Sequence, residues 1–143
     1  MTELNVYNHQ KVIRLSAGLC SRLQLAGCSA VEQVLKIARP SSNLRRIDEV
    51  EVNFVDDETI ADLHLQFMQI PGPTDVITFA HGELHISVET ARAQASDYAN
   101  DFERELMLYI VHGLLHLAGY EDATERESEV MDDLQSSILA EVW

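Results

Sequence analysis

Two histidines four residues apart are the side chains of this chain best suited to metal chemistry. His112 and His116 stand in the segment VHGLLHLAGYED. On a helix this spacing puts both imidazoles on one face, with Cβ atoms about 5–6 Å apart. A catalytic zinc ion usually takes a third protein ligand and leaves a fourth position to water. Glu121 and Asp122 follow Gly119, a glycine that can end the helix and return the chain toward the histidine face.

The residues alone leave two interpretations of the histidine pair open. In one, the pair binds a divalent metal together with a carboxylate, from either Glu121 or Asp122. In the other, the histidines are buried and only donate hydrogen bonds, and Asp122 is an ordinary surface residue. Gly113 separates the segment from the HExxH metalloproteases, because it stands where their glutamate base would be. The sequence therefore disfavours a peptidase.

The composition limits the partners and the compartment of the protein. The chain has 143 residues, 46% of them hydrophobic, which is enough for one domain with its own core. Lys and Arg total 10 against 24 Asp and Glu, and the formal charge of −14 opposes non-specific binding to nucleic acid or anionic membranes. The sequence lacks an export signal and a long apolar run, so we expect a cytoplasmic protein without a membrane partner.

The hydrophobic pattern predicts helices and short strands in mixed order. Alternating apolar residues and turn signals indicate strands at 4–8, 47–57, 76–80 and 83–87. Helical spacing indicates helices at 12–38, 56–68, 88–100, 101–119 and 124–143. Gly27 is expected to interrupt the first of these or to divide it in two. The mixture predicts an α+β domain with helices around a small sheet, and the apolar fourth helix is expected at its centre.

Three ordered segments resemble those of the YbeY family, single-domain bacterial endoribonucleases implicated in ribosomal RNA maturation and ribosome quality control. HGLLHLAGYED resembles the family signature HGxLHLxGYDH, LHLQFMQIPGPTDVITF resembles LNxxYRxxDxPTDVLSF, and GELHIS resembles GDIxIS. The resemblance implies one metal-dependent hydrolase domain over residues 1–143, with a mixed four-stranded sheet and about five to six helices. It also implies one zinc ion per chain. The implied partners are ribosomal RNA and the small ribosomal subunit or its proteins.

The resemblance carries over two zinc ligands directly, since family histidines match His112 and His116. At the third position, where the family has histidine, this chain has Asp122, with Glu121 at the preceding acidic position. An aspartate oxygen is a competent zinc ligand. We therefore predict His112, His116 and Asp122 as metal ligands and as catalytic residues. A carboxylate in place of imidazole lowers the charge of the site, which predicts a zinc ion that is a weaker Lewis acid.

A second departure from the family pattern lies before the Pro-Thr-Asp turn. The pattern has an arginine there, which is suited to phosphate, and this chain has Met68. Phe67 takes the place of the pattern's tyrosine, and both Phe67 and Met68 are predicted to pack in the core. His64 takes the place of the pattern's asparagine. It can partly substitute for the arginine if it is protonated or donates a hydrogen bond.

Four residues are predicted to bind substrate or to shape its cleft: His64, Thr74, Asp75 and His85. Thr74 and Asp75 belong to the IPGPTD turn, where an Asp carboxylate can accept hydrogen bonds from backbone N–H groups. His85 lies with His81 at the junction of the last two predicted strands. The loop RPSSNLRR carries three arginines and is a candidate contact for RNA.

These residues support three functional hypotheses. The first is a zinc-dependent endoribonuclease that acts on ribosomal RNA. The second is a non-catalytic ribosome-assembly factor, which Met68, Asp122 and the acidic charge favour. The third is a metal-dependent hydrolase of another small substrate, which the sequence does not name. RNA cleavage by the wild type beside Asp122→His and Met68→Arg variants discriminates between the first two.

Overall fold

The helices and strands follow the predicted order. A computed structural model describes residues 2–143, and this part of the chain contains four strands and five α-helices. The strands are β1 (Glu3–Asn8), β2 (Glu49–Val55), β3 (Val76–Phe79) and β4 (Glu83–Ser87). The helices are α1 (Ala17–Ile37), α2 (Asp57–Met68), α3 (Val88–Asp97), α4 (Phe102–Leu117) and α5 (Glu125–Val142). The predicted α+β fold with a small mixed sheet is therefore confirmed.

The strands form one mixed sheet in the order β1-β2-β4-β3. β1, β2 and β4 run parallel, and β3 is antiparallel to β4. Parallel neighbours need crossover connections, which α1 supplies between β1 and β2 and which the segment with α2 and β3 supplies between β2 and β4. Side chains alternate along a strand, so Leu84 and Ile86 face the main core while His85, between them, faces the other side of the sheet.

α4 is the central helix of the core. Leu106, Ile110 and Leu114 on this helix are completely buried. Gly113 lies directly against the sheet, because a Cβ atom built on it would be only 2.7 Å from Cδ2 of Leu84. The close contact fixes the position of α4 over the sheet. None of the helices within residues 2–143 has the length and apolar character needed to cross a membrane.

The prediction that Gly27 breaks the first helix is wrong. α1 runs without interruption over Ala17–Ile37, and it begins after Ser16, whose hydroxyl accepts a hydrogen bond from the Leu19 N–H at 3.0 Å. Gly27 is buried against β1, where an added Cβ would lie 2.6 Å from Cδ2 of Leu4. The glycine thus allows the helix to approach the strand. Its role is in tertiary packing, which a helix-breaking preference does not detect.

Candidate metal centre

The C-terminal half of α4 carries the histidine pair. His112 and His116 lie one turn apart with ring centroids separated by 4.6 Å, and their Nε2 atoms are 3.0 Å apart. Their side chains are 23% and 21% exposed, so both are largely buried but open to solvent on one side. The end of a helix carries partial negative charge from its free carbonyl groups, which favours a cation there.

A tight turn after α4, residues 118–122, brings the following chain back to the histidines. The Tyr120 N–H donates to the Leu115 carbonyl at 3.0 Å, and the Gly119 N–H donates to the His116 carbonyl at 3.0 Å. This pair of bonds is a Schellman motif. Gly119 has a φ of 96°, a conformation that favours glycine. The predicted end of the helix at Gly119 is confirmed.

Asp122 meets both histidines at the end of this turn. Its Oδ2 atom is 3.5 Å from Nε2 of His112, and its Oδ1 atom is 3.7 Å from Nε2 of His116. One ligand atom from each of the three residues lies within 4.8 Å of the others. Zinc bonds of about 2.0–2.2 Å place tetrahedral ligand atoms roughly 3–4 Å apart. The donor set and its spacing therefore fit a zinc ion.

Glu121, the other acidic residue considered as a third ligand, has a different position. Its Oε2 atom lies 3.8 Å from Nδ1 of His116, on the side of the ring away from the three converging atoms. Its side chain is 65% exposed, whereas that of Asp122 is 43% exposed. The geometry favours Asp122 over Glu121 as the third ligand.

Gln135 of α5 orients His112 and was missed in the sequence analysis. The His112 Nδ1–H donates to the Gln135 side-chain oxygen. A proton held on Nδ1 leaves the lone pair on Nε2 free to bind a metal. The sequence carries a signal for this role, because Gln135 is a polar residue on the apolar face of α5, at helical spacing from the buried Met131 and Ile138.

We expect Gln135→Leu to weaken zinc binding. Loss of an outer-shell partner of a ligating histidine typically lowers metal affinity about 10- to 100-fold. A titration against a fluorescent zinc indicator measures this change. Gln94→Leu is the matched control, because it also removes a hydrogen bond from α4, between the Tyr109 hydroxyl and Gln94 at 3.1 Å, without contacting the histidines. An equal loss of affinity in both variants would contradict the specific role of Gln135.

A cavity of about 340 Å³ opens beside the histidine pair. We call it the metal-side cavity. Val76 and Thr78 of β3 form one wall, and Met68, at the end of α2, and Asn43, in the short 3-10 helix before β2, also border it. Glu121 lies at its rim. A substrate group that enters this cavity would lie directly against the exposed faces of the two imidazoles.

The prediction that Phe67 and Met68 pack in the core is wrong. Their exposed fractions are 53% and 47%. In α2 only Ile60 is fully buried, so the helix is anchored near its first turn and its last turn lies at the surface. Gln69, with a φ of 57°, ends the helix there. Met68 consequently borders the metal-side cavity, at the position where the family pattern has an arginine.

Within residues 2–143, none of the four residues predicted to contact substrate lines the metal-side cavity. The His64 Nδ1–H donates to the Gly72 carbonyl at 2.9 Å and thereby holds the loop after α2. The Asp75 carboxylate accepts a hydrogen bond from the Val76 N–H at 2.7 Å and one from the Thr74 hydroxyl at 3.4 Å. These contacts stabilise the IPGPTD turn. The Asp75 carboxylate accepts a hydrogen bond from a backbone N–H group, as the sequence predicted.

His85 lies on the opposite face of the sheet from the histidine pair. Its neighbours Leu84 and Ile86 face α4 and the core, so strand alternation turns His85 away. Its ring packs edge-on against Phe79 at a centroid distance of 5.5 Å, and burial lowers the pKa of its imidazole. The expectation that His85 lines the same cleft as His112 is wrong.

The fold and this site together define a class: an α+β domain whose central helix carries a candidate metal centre of two histidines and one carboxylate. The sequence profile of the family described as Endoribonuclease YbeY matches residues 23–143. The chain belongs to the YbeY family, and the resemblance described above is confirmed.

Individual relatives agree with this assignment. The Endoribonuclease YbeY of Bacillus cereus (strain G9842) is 35% identical over 130 residues, covering 78% of this chain and 83% of that protein. The Endoribonuclease YbeY of Acholeplasma laidlawii (strain PG-8A) is 38% identical over 105 residues, covering 68% and 77%. The solution structure of a Thermotoga maritima protein matches with a TM-score of 0.62 at 28% identity, covering 100% of this chain and 89% of that one.

Proposed function

We propose that this protein is a zinc-dependent endoribonuclease that acts in the cytoplasm on 16S ribosomal RNA, in its maturation and in ribosome quality control. Membership of the YbeY family supports a nuclease that hydrolyses RNA. The zinc dependence is supported by one observation above all, the convergence of two imidazole nitrogens and a carboxylate oxygen beside an open cavity. The small ribosomal subunit or its proteins are the partners that this proposal implies.

The residues of the site would have different roles in hydrolysis. His112, His116 and Asp122 would hold the zinc ion, and Gln135 keeps the His112 proton on Nδ1. When bound, zinc would polarise a phosphoryl oxygen and make a water molecule more acidic. Glu121 is exposed at the rim of the cavity and outside the converging set, so its carboxylate is available to accept a proton from the attacking water.

A second candidate function is a non-catalytic ribosome-assembly factor that retains the fold. Two departures from the family pattern favour it. Met68 borders the cavity where an arginine would pair with phosphate, and a thioether makes no such pair. Asp122 replaces a neutral imidazole by a carboxylate, which reduces the positive charge available to a phosphodiester in transition. Both candidates predict a folded protein with a binding cleft, and they differ in turnover.

The Asp122→His and Met68→Arg variants are expected to cleave RNA faster than the wild type. A histidine restores the more electrophilic metal centre, and an arginine at position 68 faces the cavity. One charge-assisted hydrogen bond contributes about 1.5–3 kcal/mol, so we expect roughly a 10- to 100-fold increase for Met68→Arg. The measurement is cleavage of a labelled ribosomal RNA fragment with zinc supplied. Phe67→Arg is the control, since it adds the same charge one residue away, at an exposed position outside the cavity wall.

The outcomes separate the two candidates. Cleavage by the wild type supports the nuclease. An inactive wild type with activity in the double variant supports the assembly factor. The fold would then carry a nuclease site that is inactive only because it lacks the histidine and the arginine of the family pattern. An equal gain from Phe67→Arg would mean that added charge, and not the position of Met68, is responsible. Inactivity of all variants with zinc bound would contradict the nuclease proposal.

A further inference from the structure

A second groove adjoins the candidate metal centre and shares Glu121 with it. The groove has a volume of about 270 Å³ and lies between the turn after α4 and the first turn of α5. Arg39 and Arg126 both line it, so we call it the arginine groove. Two cations in one groove are notable in a chain with 10 Lys and Arg and a formal charge of −14. Glu121 lies 3.8 Å from Nδ1 of His116, so the groove begins at the edge of the metal centre.

Arg39 is held in a fixed orientation by the turn that returns Asp122 to the histidines. Its aliphatic stem packs on Gly119, where an added Cβ would lie 3.2 Å from the Arg39 Cβ. Its Nε–H donates to the Gly119 carbonyl at 3.3 Å, and its guanidinium lies 4.5 Å from the centroid of the Tyr120 ring. Within residues 2–143 its terminal Nη groups make no hydrogen bond. They form a fork of the shape that binds phosphate.

Arg126 supplies a second free cation on the other wall of the groove. Its side chain is exposed and forms no ion pair with the described residues. The two carboxylates of the groove do have internal contacts. Glu127 accepts a hydrogen bond from the Thr124 N–H at 3.0 Å, and Glu121 faces the His116 ring. The groove therefore carries two positive and two negative formal charges, and its two guanidinium groups, neither of which forms an ion pair within residues 2–143, are the groups that can donate to a phosphate.

The other arginines of the loop at 39–46 are engaged with the backbone. Arg45 donates to the carbonyls of Leu35, Ala38 and Arg39, where α1 ends. Arg46 donates to the Ser41 carbonyl at 3.1 Å. The basic loop that the sequence offered as an RNA contact thus presents one free guanidinium fork, that of Arg39.

We propose that Arg39 and Arg126 bind a backbone phosphate of the RNA strand in the arginine groove. The inference rests on the proposed function, since it takes RNA as the substrate. It also identifies a surface next to the candidate metal centre on which part of the RNA strand would lie. Most of the protein surface repels phosphate because the chain is acidic. A pair of arginines in the groove next to the metal-side cavity would therefore fix where the strand lies and its direction across the site.

The test compares Arg39→Gln, Arg126→Gln and the double variant of the full chain. Arg14→Gln is the matched control, because it removes the same charge before α1, whereas Arg39 follows the end of this 21-residue helix, roughly 30 Å away. The probe is a fluorescein-labelled single-stranded RNA oligonucleotide, and fluorescence anisotropy in EDTA measures binding without cleavage. We expect each groove variant to bind roughly 3- to 10-fold more weakly at low salt, with a salt slope smaller by about 0.7.

A second measurement separates this inference from the proposed function. With zinc supplied, the groove variants are expected to raise KM for RNA with little change in kcat, because they remove ground-state binding. Cleavage with an unchanged KM in the double variant would keep the nuclease and overturn the arginine groove. Arginine-dependent RNA binding without cleavage would keep the groove and argue against the nuclease.

Two further outcomes decide the groove itself. Binding by Arg126→Gln and Arg39→Gln that matches the wild type and Arg14→Gln would overturn the proposal. The same holds if the wild type binds no RNA at low salt. Within residues 2–143 the exposed side chain of Arg126 forms no hydrogen bond or ion pair, so Arg126→Gln tests the proposal even if Arg39→Gln loses stability along with its contacts to Gly119 and Tyr120.

Discussion

Replacing His112 with alanine is expected to remove zinc from the protein. Elemental analysis of protein purified without chelator should fall from about one zinc per chain to nearly none. His112 supplies one of three converging ligand atoms within 4.8 Å of one another. The variant retains only one imidazole and one carboxylate that is 43% exposed, whereas a catalytic zinc site usually has three protein ligands. His116→Ala is expected to have the same effect.

Thermal unfolding provides a second measurement of zinc binding. A ligand that binds only the folded state at 100 times its Kd stabilises that state by about 2.7 kcal/mol. For a domain of this size such a gain raises the unfolding midpoint by roughly 5 to 10 °C. We expect this rise on addition of zinc to the wild type and no rise in His112→Ala. The stabilisation would report binding even if RNA cleavage were absent.

His9→Ala is the matched control for the loss of an imidazole. The His9 ring lies beyond the end of β1 and bonds to the Asn53 side chain at 2.7 Å, on the sheet face that points away from α4. Its removal should leave both the zinc content and the zinc-induced stabilisation unchanged. A wild type without zinc, or a His112→Ala protein that keeps a full equivalent, would be incompatible with the proposed centre.

The arrangement of the candidate metal centre could be predicted from the sequence because its geometry is local. His112 and His116 share a helix, and Gly119 determines the turn that returns Asp122, so all three positions depend on one stretch of backbone. The order and type of the helices and strands were also predictable, since each has a clear hydrophobic period. The residues alone left the choice between Glu121 and Asp122 open, because neighbouring residues differ only in which way the turn directs their side chains. The prediction of Asp122 came from the family pattern, which has its third histidine at that position.

Features that depend on contacts between distant segments could not be predicted in the same way. Gln135 meets His112 from another helix, and the exposure of Met68 depends on how little of α2 packs on the sheet. The free fork of Arg39 exists because the turn after α4 packs against the end of α1.

His85 is a different case. The apolar residues on either side of it in β4 already indicated that it faces away from the core, and strand alternation would have excluded it from the cleft.

Gly113→Glu, which would convert the segment to HExxH, is expected to destabilise the fold severely. The new Cβ would lie 2.7 and 2.8 Å from the two Cδ atoms of Leu84, which is completely buried. Overpacking a core typically costs about 1–3 kcal/mol, and a carboxylate buried without a partner adds a penalty of similar size or larger. We expect the free energy of unfolding, measured with urea, to fall by at least about 3 kcal/mol, a large part of the stability of a typical domain.

Gly18→Glu is the matched control, because Gly18 lies in the first turn of α1 with its nearest neighbour, Ser16 Oγ, 3.9 Å from an added Cβ. An acidic residue there interacts favourably with the helix N-terminus, so stability should change by no more than about 0.5 kcal/mol. Wild-type stability in Gly113→Glu would show that α4 can move away from the sheet. If instead the variant unfolds as expected, the close helix–sheet contact excludes a side-chain base between the two histidines. In the proposed hydrolysis, Glu121 in the turn after α4 is then the carboxylate placed to accept the proton.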